Sequence, residues 1–152
     1  MTPWVMSQTS EEDLAIYKKV KVAVVNLPEL NYGTYEDGEK IVLSCHLLAR
    51  AIQEVFGIPT VDGFFGGYFN HSWNMLPSGN IIDAYPVGIV GGPLLVHHSM
   101  HKKFHGLYSE DARVSSRDRH SNFHSDQFLG AMKILDWALR LGAHYQNGNV
   151  HL

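Results

Sequence analysis

The tripeptide Pro77-Ser78-Gly79 constrains this chain more tightly than any other stretch. It lies between His71-Ser-Trp-Asn-Met-Leu76 and Asn80-Ile-Ile-Asp-Ala84, two segments that read as strands. Proline presets the first position of a type I turn, and a glycine two residues later accepts the left-handed conformation that closes a three-residue hairpin loop with a bulge. Such a loop pairs Leu76 with Asn80 and therefore places Trp73 opposite Asp83. Side chains alternate between faces with period two, so His71 and Asp83 are expected on one face as diagonal neighbours. A two-residue loop would send Asp83 to the opposite face. The turn thus decides which polar side chains of the hairpin can meet.

Upstream lies Cys45, the chain's single cysteine. Leu48, Ile52 and Phe56 follow it at helical spacing, Gly57 supplies a left-handed stop, and Pro59 prevents continuation. Ser44 is suited to cap this helix, while Asp37 offers an earlier start. With Ser44 as the cap, Cys45 falls in the first turn, where unpaired N–H groups and the positive end of the helix dipole favour a thiolate. The same N–H groups are suited to stabilise an oxyanion. Thiol, imidazole and carboxylate in this arrangement are the parts of an activated nucleophile. Cys45 is expected to attack, His71 to move the proton, and Asp83 to orient the imidazole. Asp62 competes for the last role, and the hairpin register favours Asp83.

The motifs G-I-P-T-V-D-G-F from Gly57 and N-H-S-W-N-M-L-P-S-G-N-I-I-D-A-Y-P from Asn70 resemble the transglutaminase-like branch of the papain-like thiol enzymes. That family has a helix-borne Cys, a Gly-Ile/Val-Pro strand entry, His-x-Trp on one strand and an Asp shortly before a Pro on the next. The resemblance, which covers residues 44–88, puts Cys45, His71 and Asp83 on its catalytic positions and Trp73 on its aromatic one. It implies an α+β fold with a papain-like/transglutaminase-like core, the Cys-bearing helix packed on a small antiparallel sheet. It also implies a cleft bordered by the loop before the helix, which offers Asn31, Tyr32 and Tyr35. Trp73, Tyr32 and Ser44 are the residues expected beside substrate. The chain departs from the family pattern in a short Cys-to-His interval, in His46 where a Trp usually follows the Cys, and in Ala84-Tyr85 between Asp83 and Pro86. These departures bear on the substrate rather than on the triad. The implied activity is thiol-dependent acyl chemistry at an amide of a peptide or protein, by a peptidase, amidase, deamidase or transglutaminase-type enzyme. The short length and the lack of a calcium-loop motif turn the comparison away from animal transglutaminases and toward bacterial processing peptidases or deamidases. The competing classes are a non-catalytic binding domain of the same fold and a histidine-rich metal protein.

The rest of the chain is read as part of one domain over residues 1–152. Thr9-Ser-Glu-Glu12 forms a capping box for a helix through Leu27, although the β-branched run Val20–Val25 also suits a strand. Thr60–Phe69 is expected to be one core strand. Its Gly63, Gly66 and Gly67 mark a bulge or a close backbone approach such as that of substrate, and its aromatics are assigned to the core. Six of the ten histidines fall between His97 and His124. The four-residue steps of His97, His101 and His105 and of His120 and His124 suit a metal site, but no acidic partner motif accompanies them. They are read as surface residues, and neither a metal nor a cofactor is expected. Tyr108–Asn122 reads as an exposed loop of lid length. Ser125 caps a last helix to Leu141, buried through Phe128, Met132, Leu135 and Leu139, with Trp137 assigned to packing and Gly142 as its stop.

A net charge of −3 gives no bulk basicity that points to nucleic acid. No apolar run reaches membrane-spanning length. The N-terminal ten residues lack the basic and apolar regions of a signal peptide, which places the expected location in the cytoplasm and leaves open an export route that needs none. The single thiol suits a reducing compartment.

Overall fold

Ser10 accepts a hydrogen bond from the Asp13 N–H on its side-chain oxygen, which caps helix α1, Glu11–Val25. The cap therefore sits one residue after Thr9, and the β-branched run Val20–Val25 is helical because Val20, Ala23 and Val24 bury against the core. The computed structural model describes residues 10–86, 91–103, 107–111, 113 and 123–147. After α1 come α2 (Cys45–Phe56), β1 (Thr60–Phe65), β2 (Phe69–Met75), β3 (Ile81–Asp83), β4 (Leu94–Val96), the short α3 (His98–Lys103), β5 (Tyr108–Glu110) and α4 (Asp126–Asn147). The strands form one sheet in the order β4-β3-β2-β1-β5, antiparallel throughout. The fold is thus α+β, with helices packed on a five-stranded antiparallel sheet.

The register of the β2–β3 hairpin is the one its turn chemistry dictates. Asn74 pairs with Ile82 and Met75 with Ile81. One step further, the Leu76 N–H donates to the Asn80 carbonyl at 2.9 Å, and Gly79 takes φ 90°, which favours glycine. Alternation then separates two packed faces. Leu76, Ile82, Ala84 and Leu95 face the three long helices and join Leu48, Ile52, Leu135 and Leu139 in the main core. Each such Leu or Ile contributes roughly 1.5–3 kcal/mol on full burial. Trp73, Ile81 and Tyr108 form a smaller cluster on the other face, with Val61, Phe65, Met75 and Val96 packed around it.

The expected single strand Thr60–Phe69 is instead a strand and a turn. Gly66 and Gly67 take φ 67° and 96°, so the chain reverses after Phe65 and β2 starts at Phe69. Tyr68 and Phe69, placed at this turn, are exposed rather than core residues, with their rings 4.7 Å apart. Gly63 does permit a close approach, but by the protein's own backbone. A Cβ there would lie 2.9 Å from Glu110 Cα, so the missing side chain lets β5 close on β1. Tyr108–Glu110 is accordingly a strand, while residues 112 and 114–122 of the expected lid lie outside the described residues.

Helix α4 begins as expected, the Phe128 N–H donating to Ser125 Oγ at 3.1 Å. It does not stop at Gly142 but runs on to Asn147. A Cβ on Gly142 would sit 2.9 Å from Ala23 Cα, so this glycine serves the close crossing of α4 and α1 rather than a helix end. Trp137 is 60 % exposed and lies on the outer side of the helix. His97, expected at the surface, is buried and its Nδ1 meets Ser99 Oγ at 2.7 Å. Among the described residues no group of three or more His, Cys, Asp or Glu is placed to hold a metal ion, and His105 and His120 lie outside them. No described helix is long and apolar enough to cross a membrane.

Candidate active site

Cys45 is the first residue of α2, and Ser44 caps that helix by accepting from the Leu47 N–H at 3.1 Å. Gly57 ends the helix at φ 72°, with its N–H bonded to the Gln53 carbonyl. The thiol therefore stands at the dipole-positive end of a short, firmly bounded helix. It is partly exposed and lines a surface cleft of about 300 Å³ together with Ser44, His46, Tyr35, Val42, Glu39, Lys40 and Tyr85.

Behind the thiol, the β2–β3 ladder ends at Asn74–Ile82, and His71 stands where β2 has no partner on that side. Its Nε2 lies 2.7 Å from Asp83 Oδ2. That bond leaves Nδ1 as the other ring nitrogen, and Cys45 stands near enough for the thiol and the imidazole to shift each other's protonation. Both His71 and Asp83 are buried, the carboxyl completely. Asp83 Oδ2 also accepts from the Tyr108 hydroxyl at 2.8 Å. The Trp73 ring stacks on His71 at 6.1 Å, interplanar angle 29°, and meets Tyr108 edge-on at 5.0 Å. Trp73 Nε1 and Asp83 Oδ1 are buried without a hydrogen-bond partner among the described residues.

These contacts set the electrostatics. Burial by itself would raise the Cys45 thiol, but hydrogen bonds and charge from His46 and His71 outweigh it and bring the pKa down to about 6. Burial likewise works against protonation of His71, yet Asp83 and Cys45 hold the proton, raising the imidazole to about 9. Burial and the neighbouring Cys45 charge push the Tyr85 phenol up. Between the first two values a thiolate–imidazolium pair is the stable form, which is a nucleophile prepared without a separate deprotonation step.

The structure thus brings Cys45, His71 and Asp83 together and sets Ser44 at the cleft. Trp73 lies beneath the imidazole rather than in the cleft. Tyr32 is buried in the main core, and Tyr35 is the residue of that loop which lines the cleft. Asn31 borders a separate depression with Glu29, Leu30, Thr34 and Lys40. Asp62 serves a different imidazole: it is ion-paired with Arg50 and accepts from Ser72 Oγ, which lies 2.6 Å from His46 Nδ1. Sequence reading missed Tyr108, because a three-residue edge strand carries no periodic signal. It noted His46 only as a departure from a motif, although adjacency to Cys45 on the first helical turn was a usable sign. No family model, curated protein or solved structure matches the chain.

Proposed function

We propose that this protein is a cysteine enzyme of the papain-like/transglutaminase-like kind, acting on an amide bond of a peptide or protein. The observation that carries the reading is a helix-terminal thiol whose protonation is coupled to His71, itself hydrogen-bonded to the buried Asp83. In the reaction, the Cys45 thiolate attacks the carbonyl carbon and the His71 imidazolium gives its proton to the leaving nitrogen. Ser44 occupies the Leu47 and Leu48 N–H groups. The Cys45 N–H is then the backbone donor at hand for the oxyanion. Neutral His71 next takes a proton from the acyl acceptor, water or an amine, which attacks the thioester and frees the sulfur. Asp83 holds the ring so that Nδ1 faces the sulfur throughout.

Incubation with a panel of peptide amides and glutamine peptides, with and without a primary amine, tests the reading. Mass spectrometry should detect an acyl adduct on Cys45, and the Cys45→Ala protein should turn over nothing while keeping its fold. Full turnover by Cys45→Ala would overturn it.

A further inference from the structure

The loop between α1 and α2 is a built wall of the cleft. Tyr32 and Ile41 are buried in the main core and anchor it at two points. Between them the Ile41 N–H donates to the Gly33 carbonyl at 2.9 Å and the Tyr35 N–H to the Glu39 carbonyl at 2.8 Å. The turn closes with the Gly38 N–H on the Tyr35 carbonyl and with Gly38 at φ 84°, which favours glycine. Val42, the residue after the Ile41 anchor, is apolar and yet 64 % exposed, and it lines the cleft with Tyr35 and Tyr85. So open a position gives the fold little of the stabilisation that burying a valine supplies. Glu39 and Lys40 bring opposite charges to the same cleft, so neither sign dominates it. Lys40 also borders the depression it shares with Asn31 and Thr34, about 490 Å³ in volume, so the two hollows adjoin.

The side of the sulfur on which this cleft lies decides what it holds. In the proposed reaction the leaving nitrogen lies toward His71, which protonates it. Among the described residues that line the cleft Cys45 is present and His71 is not. The cleft therefore lies on the acyl side of the bond to be broken. We propose that the substrate is an extended peptide with an apolar residue on the acyl side of the scissile amide, that side chain seated among Tyr35, Val42 and Tyr85 and the residues before it laid over the polar hollow beyond Lys40. The proposal rests on the reading of Cys45 as the nucleophile. A cleft of about 300 Å³ is at the small end for a whole ligand and suits one side chain with its backbone. An apolar side chain seated there withdraws its own surface and that of Val42 from water, a gain that a charged or missing side chain does not supply. Tyr35, Val42 and Tyr85 are specificity residues in this scheme and take no part in the bond changes.

The test measures how fast peptidyl chloromethyl ketones alkylate Cys45, read by mass spectrometry and divided by the rate with iodoacetamide, which carries no side chain. In that reaction the sulfur displaces chloride from the methylene carbon, and the thiol proton passes to buffer. The probes end in Phe, Leu, Gly, Glu or Lys, each as an acetylated single residue and as an acetylated tripeptide with serine at the preceding positions. Phe and Leu probes should react about tenfold or more faster than the others, the size expected for an apolar group entering an apolar pocket. Each tripeptide should outrun its single residue. Val42→Asn, a change at an exposed position, should remove most of the Phe and Leu advantage. Equal rates across the side chains, no gain with length, or an advantage kept in full by Val42→Asn would each overturn the proposal. Should that variant not fold, the wild-type series decides by itself. The pH dependence of the iodoacetamide rate separates the two readings. A wild-type midpoint near 6 supports the enzyme whatever the probes show, and a midpoint in the ordinary thiol range would remove the proposed function itself.

Discussion

Among the described residues Asp83 accepts hydrogen bonds from His71 and from Tyr108 on one oxygen, and this concentrates the site's sensitivity in a few atoms. Asp83→Asn keeps the shape but places an amide where two donors need an acceptor. The turnover of an amide substrate should fall steeply, on the order of 10⁴-fold by the precedent of a serine-protease triad. Tyr108→Phe removes one donor and leaves the imidazole bond intact, so its effect should be smaller. A loss of about 0.5–1.5 kcal/mol is expected for one such hydrogen bond, read as a reduced melting temperature together with a reduced kcat. The pH dependence is set by the same contacts. Below about 6 the thiolate is protonated, and above about 9 the imidazolium loses the proton it must deliver. A pH–rate profile of kcat/KM should therefore be bell-shaped with limbs near those values, and a single limb near 8.5 would contradict the ion-pair form.

Two glycines of α4 show how position within an element outweighs propensity. Gly130 has no heavy atom within 4 Å of where a Cβ would stand, whereas at Gly142 that Cβ meets the backbone of Ala23. Gly130→Ala should therefore raise stability by up to about 1 kcal/mol, the helix-propensity difference. Gly142→Ala gains the same propensity but forces α4 away from α1, at a cost of about 1–3 kcal/mol for an overpacked contact. Parallel urea melts should move in opposite directions. The β2–β3 turn is likewise held from outside its own strands. Asp13 of α1 is buried and accepts from Asn80 Nδ2 at 2.8 Å and from Ser78 Oγ, while Asn80 Oδ1 accepts from the His98 N–H at the start of α3. The local turn residues select the register, and α1 and α3 then lock it beneath the triad.

Across the whole molecule the pair Cys45–His71 couples the site to folding in two opposing ways. His71 is raised from 6.5 to about 9 on folding, so its contribution is complete below 6.5 and is lost as pH rises through 9. Cys45 is lowered from 9.0 to about 6, so its contribution is complete above 9.0 and is lost as pH falls through 6. Between 6.5 and 9 the two slopes have opposite signs and largely cancel. The wild-type melting temperature should be nearly flat over that window. Cys45→Ala removes the rising contribution but leaves Asp83 on His71, so its melting temperature should decline as pH rises through the same range. A variant that tracked wild type at every pH would show that the two groups are not linked to folding.

What the sequence determined by itself was local: where α2 starts and stops, through Ser44 and Gly57, and how β2 and β3 align, through Pro77-Ser78-Gly79. These depend on φ preferences and on hydrogen bonds within a few residues, so they are legible without a fold. The meeting of His71 with Asp83 follows from the second of them, since strand alternation carries the turn's register outward. Tertiary structure decided the rest. Tyr108 reaches Asp83 from 25 residues away only because β5 closes against the bare Cα of Gly63. Ser72 lies on the opposite face of β2 from His71, toward α2, and so joins His46 to Asp62. Gly142, which alone reads as a helix stop, is kept helical by a neighbour more than a hundred positions earlier. Each of these contacts gains its free energy from burial between elements distant in sequence, and no local pattern records which elements will meet.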